Sequence, residues 1–508
     1  MDISHQPVNE DLFDITLLKD IPIGFSRGNM VLPYRREAGV LKGIICGAQG
    51  RFALHEIAKN IGLASEPIEI DKAELLDLIN RIYGRTGSAS EVMDDMPDSE
   101  FDSVATEFES PKDILELTED APIIRLLNAL LRQAVKEQAS DIHIEPYEKE
   151  LQVRLRVDGM LRRILCPPKI IQDALVSRVK IMANLDIAEK RLPQDGRIRL
   201  LIGGQDIDIR VSVVPSVFGE RVVLRLLDRK QGLIGLDALG LDERSRETFN
   251  SLLKNPHGII LVTGPTGSGK TTTLYAAINT IYSEQKNIMT IEDPVEYQHE
   301  GIGQLNVNTR IGLTFAAGLR SLLRHDPDVI MIGEIRDYDT AEIAIQASLT
   351  GHLVLSTLHT NDSTSAVTRL IDMGIEPFLI TSTLVGVLAQ RLIRKICGYC
   401  KDGYSPAALE REFFSNPPDV LYRGRGCHRC SHTGYAGRTG IFELLPVDGT
   451  IIPFINRNTD AQKIKKAALD SGMKTLHYDG LKKAEAGITT LQEVLRVTRA
   501  DKLFFILK

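Results

Sequence analysis

The sequence has no run of about 18 consecutive apolar residues, which is the length that a membrane-spanning helix needs. Its best candidate, Phe378 to Leu392, contains Gln390 and Arg391. It also has no basic start followed by an apolar segment, which a secretory signal requires. Positive charge is not in excess, with 61 Lys plus Arg against 68 Asp plus Glu, and polyanion binding draws on such an excess. These absences predict a cytoplasmic chain that binds no nucleic acid and reaches a membrane only through a partner protein.

A glycine-rich segment between an apolar strand and a helix has the pattern of a phosphate-binding loop. The apolar run Ile259 to Val262 precedes it, and a predicted helix from Thr272 to Tyr282 follows. Converging backbone N–H groups and the positive helix end favour phosphate there. The pattern predicts binding of a nucleoside triphosphate with Mg²⁺, Lys270 reaching the β and γ phosphates and Thr271 holding the metal. The predicted nucleotide-binding residues are Gly264, Pro265, Thr266, Gly267, Ser268, Gly269, Lys270, Thr271 and Thr272.

Acidic and histidine side chains lie at the ends of three further predicted strands. Because the carboxyl ends of parallel strands meet at the ligand crevice, these groups are placed to meet a triphosphate. Gly333 occupies the position where a magnesium-organising Asp is usual, so the neighbouring glutamate must carry the acidic role. Each group taken alone could equally be an exposed strand end or a satisfied core residue. The groups are Glu292, Asp293 and Glu296 after the first strand, Glu334 and Arg336 after the second, and His352 and His359 on the third.

Four of the six cysteines form two C-x₂-C pairs separated by 26 residues. This spacing is typical of a structural zinc site with four protein thiolates and no open position. Two redox dithiols or a pair of disulfides are the alternatives. The predicted ligands are Cys397, Cys400, Cys427 and Cys430, whereas Cys46 and Cys166 are predicted to be plain buried thiols.

The chain divides into segments of different composition. A small α/β unit over 1–85, with a helix from Lys72 to Tyr83, is followed by a linker over 86–120. From 88 to 120 this linker has 12 Asp or Glu against the single Lys112, so it cannot bury a core and is predicted to be a flexible tether. The later predicted segments are a second α/β domain over 121–230, a nucleotide-binding domain over 231–395, a four-cysteine insertion over 396–435 and a helical tail over 436–508.

Four motifs together resemble a known family. G-P-T-G-S-G-K-T, T-I-E-D-P-V-E-Y, D-P-D-V-I-M-I-G-E-I-R-D and T-G-H-L-V-L-S-T-L-H-T-N are similar to the Walker A, Asp box, Walker B and His box of secretion and type IV pilus ATPases. The resemblance covers roughly residues 120 to 500 and is greatest to the general secretory pathway ATPases of type II secretion. Pilus-assembly ATPases are the near neighbours and the alternative function. The implied fold is α/β: a RecA-like P-loop ATPase core with preceding small α/β domains, a four-cysteine zinc insertion and a helical C-terminal tail.

The resemblance also implies roles and partners. Glu334 or Glu292 would polarise the attacking water while the other organises Mg²⁺, with Glu334 favoured as the base, and His359 would sense the γ-phosphate. Arg210 and Arg225 would point into the nucleotide cleft, although an ordinary solvated strand face is the alternative. Further arginine candidates are Arg320, Arg324, Arg336 and Arg369.

The expected assembly is a ring, usually a hexamer in this family. The N-terminal domain would engage the cytoplasmic domain of an inner-membrane protein, and an inner-membrane platform protein would be a further partner. The chain would thus be cytoplasmic and peripherally attached to that membrane. A P-loop kinase or regulatory switch and a DNA-translocating ATPase are the rivals from other classes. The sequence shows neither an acceptor-binding nor a guanine-specifying signature, and its acidic balance disfavours the translocase.

Overall fold

The computed structural model describes residues 13–18, 21, 23–37, 39–83, 122–202, 205–228 and 234–498. The chain forms two compact units, 1–228 and 229–508. The predicted acidic tether over 86–120 lies outside the described residues. None of the described helices is both long and apolar enough to cross a lipid bilayer.

The first part of unit 1 is a small α/β layer. Its three-stranded sheet pairs the first two strands antiparallel and the last two parallel. The predicted helix over Lys72 to Tyr83 is present. The elements are α1 (Ile23–Asn29), β1 (Val31–Glu37), β2 (Val40–Ile45), α2 (Gly47–Asn60), β3 (Ala64–Glu69) and α3 (Lys72–Tyr83).

The second part of unit 1 is a six-stranded antiparallel sheet in the order β6-β5-β4-β9-β8-β7. The apolar stripe of its first helix packs in one cluster with the inward side chains of the sheet. Asp158 and Gly159 both have positive φ, which gives the twisted two-residue turn that a hairpin prefers. The elements are α4 (Pro122–Lys136), β4 (Asp141–Pro146), β5 (Leu151–Val157), β6 (Met160–Leu165), α5 (Gln172–Met182), β7 (Gln194–Ile202), β8 (Gln205–Ser216) and β9 (Gly219–Asp228).

Unit 2 is built on a seven-stranded sheet in the order β12-β11-β13-β14-β10-β15-β18, parallel except for the last strand, β18 (Tyr435–Pro446). Alternate residues of β10 enter two different apolar clusters, so helices cover both faces. Its first elements are α6 (Glu243–Leu253), β10 (Gly258–Thr263), α7 (Lys270–Ile281), β11 (Ile288–Glu292), β12 (Gly303–Asn306), α8 (Phe315–Leu322), β13 (Val329–Ile332), α9 (Tyr338–Leu349), β14 (Leu353–Leu358), α10 (Ser363–Asp372), α11 (Pro377–Thr383) and β15 (Leu384–Ile396).

The rest of unit 2 corrects one prediction. The tail from 436 was expected to be helical, but it begins with a long strand that pairs antiparallel with β15 from Gly386 to Ile396. A short buried run such as Ile441 to Leu445, apolar except for Glu443, has no periodicity that separates strand from helix. Helices follow only from Ile452 onward. The elements are β16 (Lys401–Tyr404), α12 (Ala408–Arg411), β17 (Leu421–Gly424), β18 (Tyr435–Pro446), α13 (Ile452–Asn456), α14 (Ala461–Asp470), α15 (Leu476–Glu485) and α16 (Leu491–Thr498).

Candidate active site and metal centre

The phosphate-binding loop connects the end of β10 to the start of α7. Gly267 and Gly269 have φ of 77° and 87°, and a Cβ on Gly264 would lie 2.4 Å from the carbonyl oxygen of Gln390. None of the described side chains caps α7, and the buried Ser268 Oγ has no hydrogen-bond partner among the described residues. The first N–H groups of the helix are therefore available to a phosphate. The loop fits the triphosphate that its sequence predicted.

Lys270 is held over this loop. Its Nζ donates to the carbonyl oxygens of Gly264 at 2.9 Å and Pro265 at 3.3 Å. Burial lowers the pKa of the ammonium group, and the negative charge of Glu334 opposes that shift. The lysine charge is thus held where the loop would receive phosphate, with Glu334 near enough to influence it.

Gln390 on β15 supports the loop, and the sequence reasoning missed it. Its Nε2 donates to the carbonyl oxygen of Ser268 at 2.7 Å, and its Oε1 accepts from Thr273 Oγ1 at 2.7 Å. The residue is buried. The signal in the sequence was that Gln390 directly follows the apolar run Leu384 to Ala389. A buried amide at such a position needs hydrogen-bond partners, which indicates a structural contact.

Glu334 and His359 meet at the carboxyl edge of the sheet. His359 Nε2 lies 3.2 Å from Glu334 Oε2, and Arg336 also forms an ion pair with Glu334. Burial alone would raise the pKa of Glu334, but Arg336 and His359 outweigh it and hold the pKa below its usual value. The carboxylate is therefore ionised at neutral pH. Of the four further arginine candidates, Arg336 is the one that touches this carboxylate.

Glu292 has a different environment from Glu334. Its Oε1 accepts from Thr290 Oγ1 at 2.7 Å, and both its carboxylate oxygens lie within 2.9 Å of the Tyr275 hydroxyl on α7. Gln304 Nε2 donates to the same hydroxyl at 2.9 Å. Burial raises the pKa of Glu292. In this structure the carboxylate faces the interior, and Tyr275, which the sequence analysis did not single out, holds it there.

The remaining candidates occupy other positions. His352 lies at the opposite end of β14 from His359, and its Nδ1 is 2.7 Å from the carbonyl oxygen of Ala347. The residues Arg320, Arg324 and Arg369 are exposed on unit 2. His352 Nδ1 is hydrogen-bonded near the end of α9, and the residue lies at the end of β14 that is remote from the phosphate loop.

Arg210 and Arg225 lie on unit 1. They are direct cross-strand partners on β8 and β9, so their side chains share one face of the sheet. Arg225 Nε donates to Asp141 Oδ1 at 3.0 Å. Their role towards a nucleotide stays a prediction.

The four predicted cysteine ligands converge. Their sulfur atoms all lie within 4.8 Å of one another. Cys397 Sγ is 3.9 Å from Cys427 Sγ, and Cys400 Sγ is 3.8 Å from Cys430 Sγ. Thiolates at about 2.3 Å from a shared tetrahedral ion would be about 3.8 Å apart, whereas a disulfide needs about 2.05 Å. The cluster fits a structural zinc ion and does not fit disulfides.

The other two cysteines are less buried than predicted. Cys166 is exposed and Cys46 is partly buried. Cys166 directly follows the edge strand β6, and Cys46 precedes the first turn of α2. Both positions lie at element ends, where an apolar neighbourhood in sequence does not guarantee burial. The prediction of two buried thiols was wrong.

We expect purified protein to carry close to one zinc ion per chain, because all four ligands are already assembled. Replacing any one with serine, for example Cys400→Ser, should release the ion and lower the melting temperature of the insertion while ATP binding persists. Elemental analysis and thermal unfolding measure these effects, with the exposed Cys166→Ser as the matched control. A freshly prepared, unchelated protein without zinc would contradict this expectation.

The parallel sheet, its phosphate loop and the acidic strand ends define a RecA-like P-loop ATPase. Residues 116–496 match the family described as Type II/IV secretion system protein. The Type II secretion system ATPase E of Vibrio cholerae is 49% identical over 489 residues, covering 95% of this chain and 97% of that protein. The Type II secretion system protein E of Pseudomonas aeruginosa is 53% identical over 452 residues, covering 88% and 87%.

A solved structure supports the same fold. The Legionella pneumophila ATPase DotB superimposes with a TM-score of 0.56 at 20% identity, covering 77% of this chain and 98% of that chain. The chain belongs to the type II/IV secretion system protein family, and within it to the type II secretion ATPases. The predicted ATPase fold and enzyme class are thereby confirmed.

Proposed function

We propose that this ATPase hydrolyses Mg²⁺-ATP as a cytoplasmic ring, a hexamer, that drives pseudopilus assembly and protein export by a type II secretion system. The observation that carries the proposal is the contact of His359 with Glu334 at the carboxyl edge of the sheet, in a segment that Thr360 ties to Thr263, the residue before the phosphate loop. The process is proposed from the names of the relatives, which are type II secretion proteins. This chain matches them over almost their whole length.

The residues divide the chemistry among them. Lys270 and the loop N–H groups hold the β and γ phosphates. Glu334, ionised and near Lys270, accepts a proton from the attacking water, and His359 contacts the γ-phosphate and reports its presence. Thr271, the second residue of α7, would hold Mg²⁺, which would supply positive charge next to the phosphates; Glu292, turned inward onto Tyr275, does not face this position.

Phosphoryl transfer is accelerated mainly by positioning and by positive charge on the γ-phosphate, and an arginine there contributes about 10³ to 10⁵ in rate. Arg210 and Arg225 on unit 1 are the proposed source of this charge. In a ring this positive charge can be supplied in every cycle, because each subunit can present its arginines to a bound nucleotide and withdraw them after hydrolysis. Hydrolysis would thus be converted into domain movement.

The N-terminal domain is proposed to attach the ring to the inner membrane. The nucleotide loop, the strand-end groups and the cysteine cluster all lie after residue 120, so residues 1–85 are not needed for chemistry. They would bind the cytoplasmic domain of an inner-membrane protein, while an inner-membrane platform protein receives the motion. An alternative is that residues 1–85 only stabilise the rest of the chain.

The test is a truncation that removes residues 1–85, expressed in cells that lack their own copy of the protein. We expect basal ATP hydrolysis in solution within about twofold of the full chain, together with loss of membrane association and of export. Fractionation, export of a type II substrate and pilus-dependent motility are measured in parallel.

Two outcomes would contradict the proposal. If the truncated chain sediments with membranes as the full chain does, docking lies elsewhere. If loss of the full chain abolishes type IV pili and leaves export intact, the protein is a pilus-assembly ATPase. A truncated chain that melts at a much lower temperature supports the stabilising role.

A further inference from the structure

A carboxylate, Glu443, is completely buried behind the segment that carries His359. It lies on β18, opposite Ala389 of β15, and its side chain has no exposed surface. Burying a charged group is costly unless it is paired and hydrogen-bonded, so this position in the core requires an explanation. The reactions assigned so far to Lys270 and Glu334 do not use it.

The contacts of Glu443 are directed to the start of α10. Its Oε1 accepts from the backbone N–H of Ser363 at 2.9 Å and from Ser363 Oγ at 2.6 Å. Asp362 caps the same helix by accepting from the N–H of Ser365 at 2.8 Å. Two carboxylates therefore hold the positive end of one helix, which is the favourable polarity.

Lys465 of α14 joins the two carboxylates. Its Nζ lies 3.3 Å from Asp362 Oδ2 and 4.0 Å from Glu443 Oε2, and it is itself buried. The C-terminal helix α14 thus contributes the positive charge to a cluster that fixes the first residues of α10. Removing one member leaves the others buried without their partner.

Only three residues separate His359 from Ser363, and these residues are tied to the phosphate loop as well. Thr360 Oγ1 lies 2.7 Å from Thr263 Oγ1, next to Gly264, and Thr360 Oγ1 also donates to the carbonyl oxygen of Asp362 at 3.0 Å. The segment 359–363 is therefore held at one end by β10 and at the other by Glu443.

We infer that Glu443 is a positioning residue for ATP hydrolysis, which acts by fixing the start of α10 and thereby the place of His359 beside Glu334, with Lys465 as its counter-charge. The inference rests on the proposed role of His359. Under this inference the C-terminal helix α14 influences ATP hydrolysis through Lys465, although it contributes no group to the phosphate loop.

Glu443→Leu removes the acceptor and keeps a side chain of similar size. We expect kcat for Mg²⁺-ATP to fall about tenfold or more, since a misplacement of reacting groups by about 1 Å can cost about 100-fold. KM should stay within about twofold, because the phosphate loop is unchanged. Glu443→Gln keeps an oxygen that accepts from Ser363, so it should recover most of kcat. Steady-state phosphate release by the full-length protein measures both constants.

A matched control is available in the same part of the chain. Asp479 is also a buried carboxylate that accepts a backbone N–H, from Phe442 at 2.8 Å, and pairs with a lysine, Lys483, at 2.6 Å, but it does not touch α10. Asp479→Leu should lower the melting temperature without changing kcat of the folded protein beyond about twofold. An equal fall in kcat in both variants would overturn the inference.

A double variant separates positioning from general damage. If Glu443 acts through His359, Glu443→Leu should cause no further loss in a His359→Ala background. Additive losses would overturn the role of Glu443 and leave that of His359 intact, whereas a His359→Ala protein with wild-type kcat would overturn the role of His359 and, with it, this inference.

If Glu443→Leu does not fold, Ser363→Ala decides the question. It removes the 2.6 Å hydrogen bond without leaving a buried charge unpaired. We expect a threefold to tenfold fall in kcat at unchanged KM, about the effect of one lost hydrogen bond. An unchanged kcat in the folded Ser363→Ala protein would overturn the inference.

Discussion

Lys270→Ala should reduce ATP hydrolysis to less than a few per cent of the wild-type rate. The Lys270 ammonium group is held by two loop carbonyl groups and supplies the fixed positive charge of the loop itself, and phosphoryl transfer depends on such charge. Alanine restores neither the charge nor its hydrogen bonds. Phosphate release at saturating Mg²⁺-ATP is the measurement.

The control for this variant is Lys286→Ala, which removes an exposed lysine of the same unit. It should keep the wild-type rate, so that a loss specific to Lys270 is not an effect of net charge. Thermal unfolding verifies that both proteins are folded. A Lys270→Ala protein with more than a few per cent of wild-type turnover would rule out this loop as the active site.

Glu334→Gln should bind ATP without turning it over. Glutamine has nearly the shape of glutamate but cannot accept the proton of the attacking water, and general-base catalysis contributes about 10² to 10⁴ in rate. The neighbouring Arg336 and His359 hold Glu334 in its ionised form, the form a base requires. Retention of labelled ATP after gel filtration, together with phosphate release, measures the trapped state.

Glu292→Gln is the comparison. Glu292 accepts hydrogen bonds from Tyr275 and Thr290 in the interior, so its loss should lower the melting temperature and reduce turnover less than Glu334→Gln does. If Glu292→Gln traps ATP and Glu334→Gln hydrolyses it, the two glutamates have exchanged roles and the assignment of the base is wrong.

The sequence predicts the order of elements around the loop because each step has a local cause. Glycines mark the loop, apolar runs mark the buried strands, and paired cysteines mark the metal cluster. The same logic places Glu292 and Glu334 at strand ends. It cannot tell that Glu292 turns inward, because that depends on Tyr275 and Gln304, which are brought together only by folding.

Contacts between residues distant in sequence account for most of the other differences between the predicted and the observed structure. Ile441 to Leu445 form a strand because they pair with the free edge of β15. The residues 436–446 alone give no indication that such an edge is available. Gln390 and Glu443 are single polar residues in apolar runs, and the residues to which they are hydrogen-bonded, Ser268 and Ser363, are distant in sequence. Cys166 is exposed one residue beyond the end of the edge strand β6, whereas Leu165, the last residue of that strand, is buried.

The cysteine cluster is inserted at the tip of the β15–β18 hairpin. Ile396 and Tyr435 face each other across the ladder, so the two ends of the insertion are neighbours at the sheet. The register of the hairpin is fixed by the buried side chains along its strands and not by what connects them. Lengthening a connection costs free energy only logarithmically. In evolutionary terms, this part of the chain can grow, shrink or change its surface while the strand next to the phosphate loop keeps its place.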